Sequence, residues 1–201
     1  MNFDFYDVFT KLIPGGALTF MLFFCGYIPL SQKMSDMAFL ISAYFIGFII
    51  DAIAAKPQVM NIFWYFAKGK PSNLLLGGST FYGKNYKFLF ELKSKVGDIW
   101  DQENLDKTFD FIYRKVLIFD SKRVQGFNNH WINARNLLIS LILSYIPLCL
   151  FIWNGDYSWY TSLFLSIVLT FSVYLIFDRA KSRQYYFVKE VLDSYLFTDK
   201  K

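Results

Sequence analysis

The chain has 201 residues, 55% of them apolar, 21% aromatic and 18% charged, with a net charge of +5 and two cysteines. A soluble domain carries about 25% charged residues, so this balance argues against one. Two cysteines inside apolar blocks, Cys25 and Cys149, exclude a disulfide framework and a cysteine metal pattern.

The first residues, MNFDFYDVFTKL, hold two aspartates and one lysine. A cleavable signal wants a basic start and a small-residue cleavage site, so the first apolar block is expected to be retained. That block runs from Leu12 to Gln32 and opens on Pro14–Gly15–Gly16. The second runs from Met37 to Ala55, with Gly47 and one charge, Asp51, inside it. Two more follow late in the chain: Asn136 to Gly155, interrupted by Pro147, and Tyr157 to Phe177. Each is about 20 residues, the length of helix that crosses about 30 Å of hydrocarbon. A chain in lipid must satisfy its own backbone, and none of the blocks alternates as a membrane strand does, so four transmembrane helices are expected.

Between the second and third blocks lies a long polar segment, 57–135. Asn61–Ala67 (NIFWYFA) follows Pro57 and has the composition of a segment lying among headgroups. Gly78 to Asn85 (GSTFYGKN) approaches the phosphate-binding loop pattern. Asn85 stands where the Mg²⁺-holding hydroxyl belongs, and the segment offers no parallel sheet, so a glycine-containing loop is expected there. Tyr86–Val96 is a short helix candidate ended by Gly97. Leu105, Phe109, Ile112, Val116 and Phe119 recur every four and three residues, with Asp106, Lys107, Asp110, Arg114 and Lys115 on other faces. That pattern predicts an amphipathic helix whose stripe packs either inside one protomer or as a candidate interface between protomers on the cytoplasmic side; the pattern does not say which. Val124, Phe127, Trp131, Ala134 and Leu138 carry the stripe into the third block. The tail repeats the theme with Val188, Val191, Leu192 and Tyr195 on one face.

Orientation follows from Lys and Arg. The 57–135 segment carries 12, the tail 179–201 carries 6, and Lys11 and Lys56 sit at helix ends on the same side. The opposite side holds only Lys33. Both termini and the polar segment are therefore expected in the cytoplasm; their basic excess could attract anionic headgroups or RNA, but the positive-inside bias alone accounts for most of it and leaves nucleic-acid binding open. The expected fold is all-α: residues 1–56 with the first two spans, 57–135 a cytoplasmic helical segment, 136–178 the last two spans, and 179–201 a tail helix.

Few side chains offer chemistry. Asp51 is an ionisable group near a span end, placed to line a pore, pair with a cation of a neighbouring helix or reach the interface. Gly15, Gly16, Gly47 and Pro147 are candidates for helix packing or a hinge. Arg123 and His130, the only histidine, fit the loose R-x(4–6)-H pattern of HEPN ribonucleases, although Val124 stands where that family usually has a polar residue. No cofactor-binding or metal-binding motif is present.

Leu12–Ile13–Pro14–Gly15–Gly16, Ala43–Tyr44–Phe45–Ile46–Gly47, Ala134–Arg135–Asn136–Leu137 and the basic, tyrosine-rich tail from Asp178 to Tyr195 together resemble small four-helix bacterial membrane proteins encoded beside anti-phage defence systems. Examples are the membrane accessory proteins of type VI-B CRISPR loci and the membrane subunit of the Kiwa system. The resemblance implies an inner-membrane, homo-oligomeric effector or accessory with a cytoplasmic protein partner from a defence operon. It implies no catalytic residue. A membrane sensor or anchor that conducts nothing, and a ribonuclease using Arg123 and His130, are the alternatives.

Overall fold

The computed structural model describes residues 5–27, 36–81, 83–153 and 159–197. The short connections that hold Lys33 and Asp156, the end of the first apolar block, Tyr82 and the last tail residues lie outside them. The described residues form α1 (Phe5–Phe24), α2 (Asp36–Ala54), α3 (Pro57–Phe66), α4 (Pro71–Leu76), α5 (Leu89–Val96), α6 (Leu105–Phe119), α7 (Ser121–Leu143), α8 (Tyr145–Trp153) and α9 (Trp159–Phe197), with no strand among them. Three stretches are long and apolar enough to cross a membrane: Asp36–Ala54, Lys122–Trp153 and Trp159–Phe197. Val8–Phe24 is a shorter apolar helix. The chain divides into two compact units, Met1–Met60 with Ile132–Ala180, and Asn61–Trp131 with Lys181–Lys201.

In the first unit, α1 starts and stops earlier than the apolar block alone indicates. Its end is set by Gly26 at φ +76°. The Gly26 amide donates to Phe23 O at 3.0 Å and the Tyr27 amide to Leu22 O at 3.0 Å, a Schellman cap that needs the left-handed residue. Packing of α1 on α2 is backbone against backbone. A Cβ on Gly15 would overlap the Ala43 carbonyl, and one on Gly47 would overlap the Lys11 carbonyl. Gly16 differs: nothing lies within 4 Å of its notional Cβ, so it is not a packing glycine. Pro147 acts one turn upstream. Its missing amide leaves the Leu143 carbonyl without an i+4 donor, and α7 ends at Leu143. Ser144 bridges the break, its Oγ donating to Ser140 O at 2.9 Å while its own carbonyl accepts from the Leu148 amide at 3.3 Å.

The second unit has an ordinary apolar core. Phe109, Ile112 and Val116 of α6, Val124 and Trp131 of α7, and Val188, Val191 and Leu192 of α9 are all buried in it. The α6 stripe is thus spent inside the chain, with one correction. Phe119 is 68% exposed and belongs to the surface, whereas Ile112 is fully buried and is no interface residue. Asn104 caps α6, accepting from the Lys107 amide at 3.1 Å. The Tyr86–Val96 candidate starts at Leu89 instead, because Tyr86 is pulled into the core, where its hydroxyl donates to Asp193 at 3.0 Å. Burial, with the Asp193 carboxylate beside it, pushes the Tyr86 phenol well above the ordinary tyrosine range. The aromatic segment after Pro57 forms the amphipathic helix α3. Phe63 is buried against Trp131, ring centroids 5.3 Å apart, while Ile62, Tyr65 and Phe66 are exposed.

Helices α7 and α9 contribute to both units. There is no break at residues 178–179, where the sequence placed the start of a separate tail helix. Trp159–Phe197, which holds most of the last apolar block and of the tail, is one helix of 39 residues.

Candidate functional site

The polar chemistry of the first unit converges where α1, α2 and α7 meet, and Pro14 is its origin. A proline at position 14 has no amide for the Thr10 carbonyl, which would otherwise accept an i→i+4 bond. That carbonyl accepts instead from Asn136 Nδ2 of α7, at 3.4 Å. One turn further along α7, Ser140 Oγ donates to the Pro14 carbonyl at 2.6 Å. The disturbed turn of α1 is thereby stitched to α7 by two side chains, both fully buried.

Asp51, one turn from the end of α2, completes the cluster. Its Oδ1 accepts from Arg135 Nη2 at 2.8 Å and from Asn136 Nδ2 at 2.9 Å. Asn136 Oδ1 in turn accepts from Arg135 Nε at 3.2 Å and Nη2 at 3.0 Å. Both ends of the Asn136 amide are therefore occupied. The Arg135 and Asp51 side chains are 13% and 32% exposed, so this is a mostly desolvated ion pair that neutralises itself. Asp51 thus pairs with a cation of a neighbouring helix, one of the roles its position allows. Gly15 and Gly47 let α1 approach α2 closely enough for all three helices to share the cluster. The arrangement contains no nucleophile with an adjacent base. What it can do is lock three helices in one register.

Sequence pattern alone marks Arg135 and Asn136 only as landmarks of the third block. The signal was there: each lies at the charged edge of its block, as Asp51 does, and Pro14 announces an orphan carbonyl four residues upstream.

The Arg123 and His130 pair of the second unit is arranged differently. Arg123 Nε lies 2.6 Å from Glu190 Oε1, and Glu190 is buried on α9. His130 is exposed on the same helix as Arg123, about 10.5 Å away along the axis at seven residues' separation. Within one chain the two side chains therefore do not form a site. Phe119, Arg123, Glu190, Ser194 and Phe197 line a cleft of about 470 Å³. The glycine loop turns at Gly78 and Gly83, with Phe81 and Lys84 exchanging backbone bonds of 2.9 and 3.0 Å. Among the described residues no three His, Cys, Asp or Glu side chains gather as a metal site would require.

Comparison with protein-family models, curated proteins and solved structures finds no match to this chain.

Proposed function

We propose that this protein is a multi-pass bacterial inner-membrane effector or accessory of anti-phage defence. It acts without enzymatic chemistry, as a homo-oligomer that opens a pore or perturbs the bilayer when a partner engages its cytoplasmic side. The observation that carries the membrane response is the Asp51–Arg135–Asn136 cluster. The helix that supplies Arg135 and Asn136 also supplies Val124 to the core of the second unit. On this reading, a shift of α7 is what would act on the ion pair seated among the apolar helices. Further support comes from the apolar window of α9, only 6% of which is buried within the chain. Such a surface is suited to lipid and to neighbouring copies. The basic residues, all but Lys33 on one side, support cytoplasmic termini. The exposed Ile62, Tyr65 and Phe66 of α3, flanked by Lys56 and Lys68, suit the headgroup layer. The setting in immunity rests on the sequence resemblance.

Dye-loaded liposomes carrying the purified protein test this reading. Adding the soluble protein encoded beside it should release dye. Phe119→Asp, at an exposed position, should abolish release while leaving the helical content unchanged. Ile112 is unsuitable for this purpose, because its loss opens a core cavity. No release while the partner still binds would replace the effector by a non-conducting anchor.

A further inference from the structure

We infer that the cleft between residues 84–88 and α9 binds a phosphate ester, and that its size and walls fit a nucleotide. The cleft lies wholly in the second unit, so the inference does not depend on the membrane response. Its volume is about 930 Å³, within the span of small-molecule sites, roughly 300–1,000 Å³.

Lys84, Lys87 and Lys189 line the cleft against a single carboxylate, Asp193. That carboxylate is already engaged, by the Tyr86 hydroxyl at 3.0 Å and by Lys189 Nζ at 4.0 Å. Lys84 is the informative residue. Its ammonium sits over the rings of Tyr185 and Tyr186, 5.4 and 5.3 Å from their centroids, and 3.5 Å from the Tyr186 hydroxyl oxygen. Among the described residues no carboxylate pairs with it. Ring faces hold a cation in place without neutralising it, so a fixed positive charge remains in the cleft beside two more ammonium groups. Phosphate oxygens are the acceptors such a set recruits, through charge-assisted hydrogen bonds. The Asn85 amide and the Tyr186 hydroxyl add neutral donors.

The walls specify more than an anion. Phe88 and Tyr186 each remain 40% exposed, offering flat apolar surface on which a nucleobase can stack. Lys84 is presented by the turn at Gly83, whose φ of +69° suits glycine, and by the backbone pairing of residue 84 with Phe81. No strand among the described residues leads into this loop, and Asn85 rather than Ser or Thr follows Lys84, so the inferred role is binding. A lipid headgroup shares the phosphate chemistry, and the experiment separates the two sources.

The test uses the full chain in nanodiscs of phosphatidylcholine or of phosphatidylglycerol, titrated calorimetrically with ATP and with inorganic pyrophosphate. ATP should bind saturably in both lipids. Lys87→Ala, at an exposed position, and Lys84→Ala should each weaken it about tenfold or more, the loss of one charge-assisted bond, with Lys84→Arg close to the parent. Phe88→Ala, which removes stacking surface but no contact to Lys84, should weaken ATP about fivefold or more and leave pyrophosphate unchanged. Absence of saturable binding, or ATP affinity indifferent to both lysine substitutions, would overturn the site. ATP binding lost only in phosphatidylglycerol would assign the phosphate to lipid and overturn the nucleotide reading.

Discussion

Arg135→Ala is expected to destabilise the protein by about 3 kcal/mol or more, read as a large fall in the detergent melting temperature and in the yield of folded protein. Truncating Arg135 leaves the Asp51 carboxylate in a mostly desolvated site with only Asn136 to satisfy it. An unpaired charge among membrane helices costs about 2.5–3.5 kcal/mol on insertion scales, and breaking a buried pair costs about 3–5 kcal/mol. Asp51→Ala should cost a similar amount, by orphaning the guanidinium. The hydrogen bonds around the pair are worth much less. Ser140→Ala removes one bond to the Pro14 carbonyl, and interhelical bonds of this kind average about 0.6 kcal/mol in a membrane protein. The contrast makes the test decisive. The neutral double variant Asp51→Asn with Arg135→Gln should recover most of the loss, because two uncharged amides can still bond. If the double variant is as damaged as the singles, the pair is not what holds α2 to α7.

Gly15→Ala should be at least as disruptive, whereas Gly16→Ala, one residue away, should be nearly silent. The added methyl of Gly15→Ala has to displace the Ala43 carbonyl and the Gly47 amide, atoms of a helix backbone that no side-chain rotamer can move aside. Overpacking of an ordinary core costs about 1–3 kcal/mol, and backbone against backbone belongs at or beyond the upper end. The Gly16 methyl meets nothing within 4 Å, and alanine is the better helix former by about 1 kcal/mol. Gly47→Ala should match Gly15→Ala, since it meets the Lys11 carbonyl from the other side. Size-exclusion profiles of the three variants check the pattern, and equal behaviour of Gly15→Ala and Gly16→Ala would contradict the α1–α2 packing.

Much of the helix inventory was legible because burial leaves a period. The stripe from Leu105 to Phe119 predicts α6 residue for residue, and the Val124–Leu138 stripe predicts that α7 enters the third apolar block without a break. The stripe could not say which of its members meet solvent. Phe119 and Ile112 look alike in the pattern, and only packing separates them. Helix ends were less legible where a cap or a tertiary bond overrides composition. Gly26 stops α1 before its apolar block ends, and the bond of Tyr86 to Asp193 delays α5. The polar cluster was half legible. Asp51 stood out as a charge in an apolar block, but its partners sit 84 and 85 residues away, and no local pattern links them. The Glu190 partner of Arg123 was hidden for the same reason, on a helix distant along the chain.

The proposed topology, with residues 57–135 and both termini in the cytoplasm, is tested by accessibility. In a Cys25→Ala, Cys149→Ala background, single cysteines are introduced as Ser31→Cys, Ser94→Cys and Ser158→Cys and treated with a membrane-impermeant maleimide in bacterial spheroplasts. Ser31→Cys and Ser158→Cys should label in intact spheroplasts, and Ser94→Cys only after lysis. Labelling of Ser94→Cys in intact spheroplasts, or protection of all three positions until lysis, would rule out that topology.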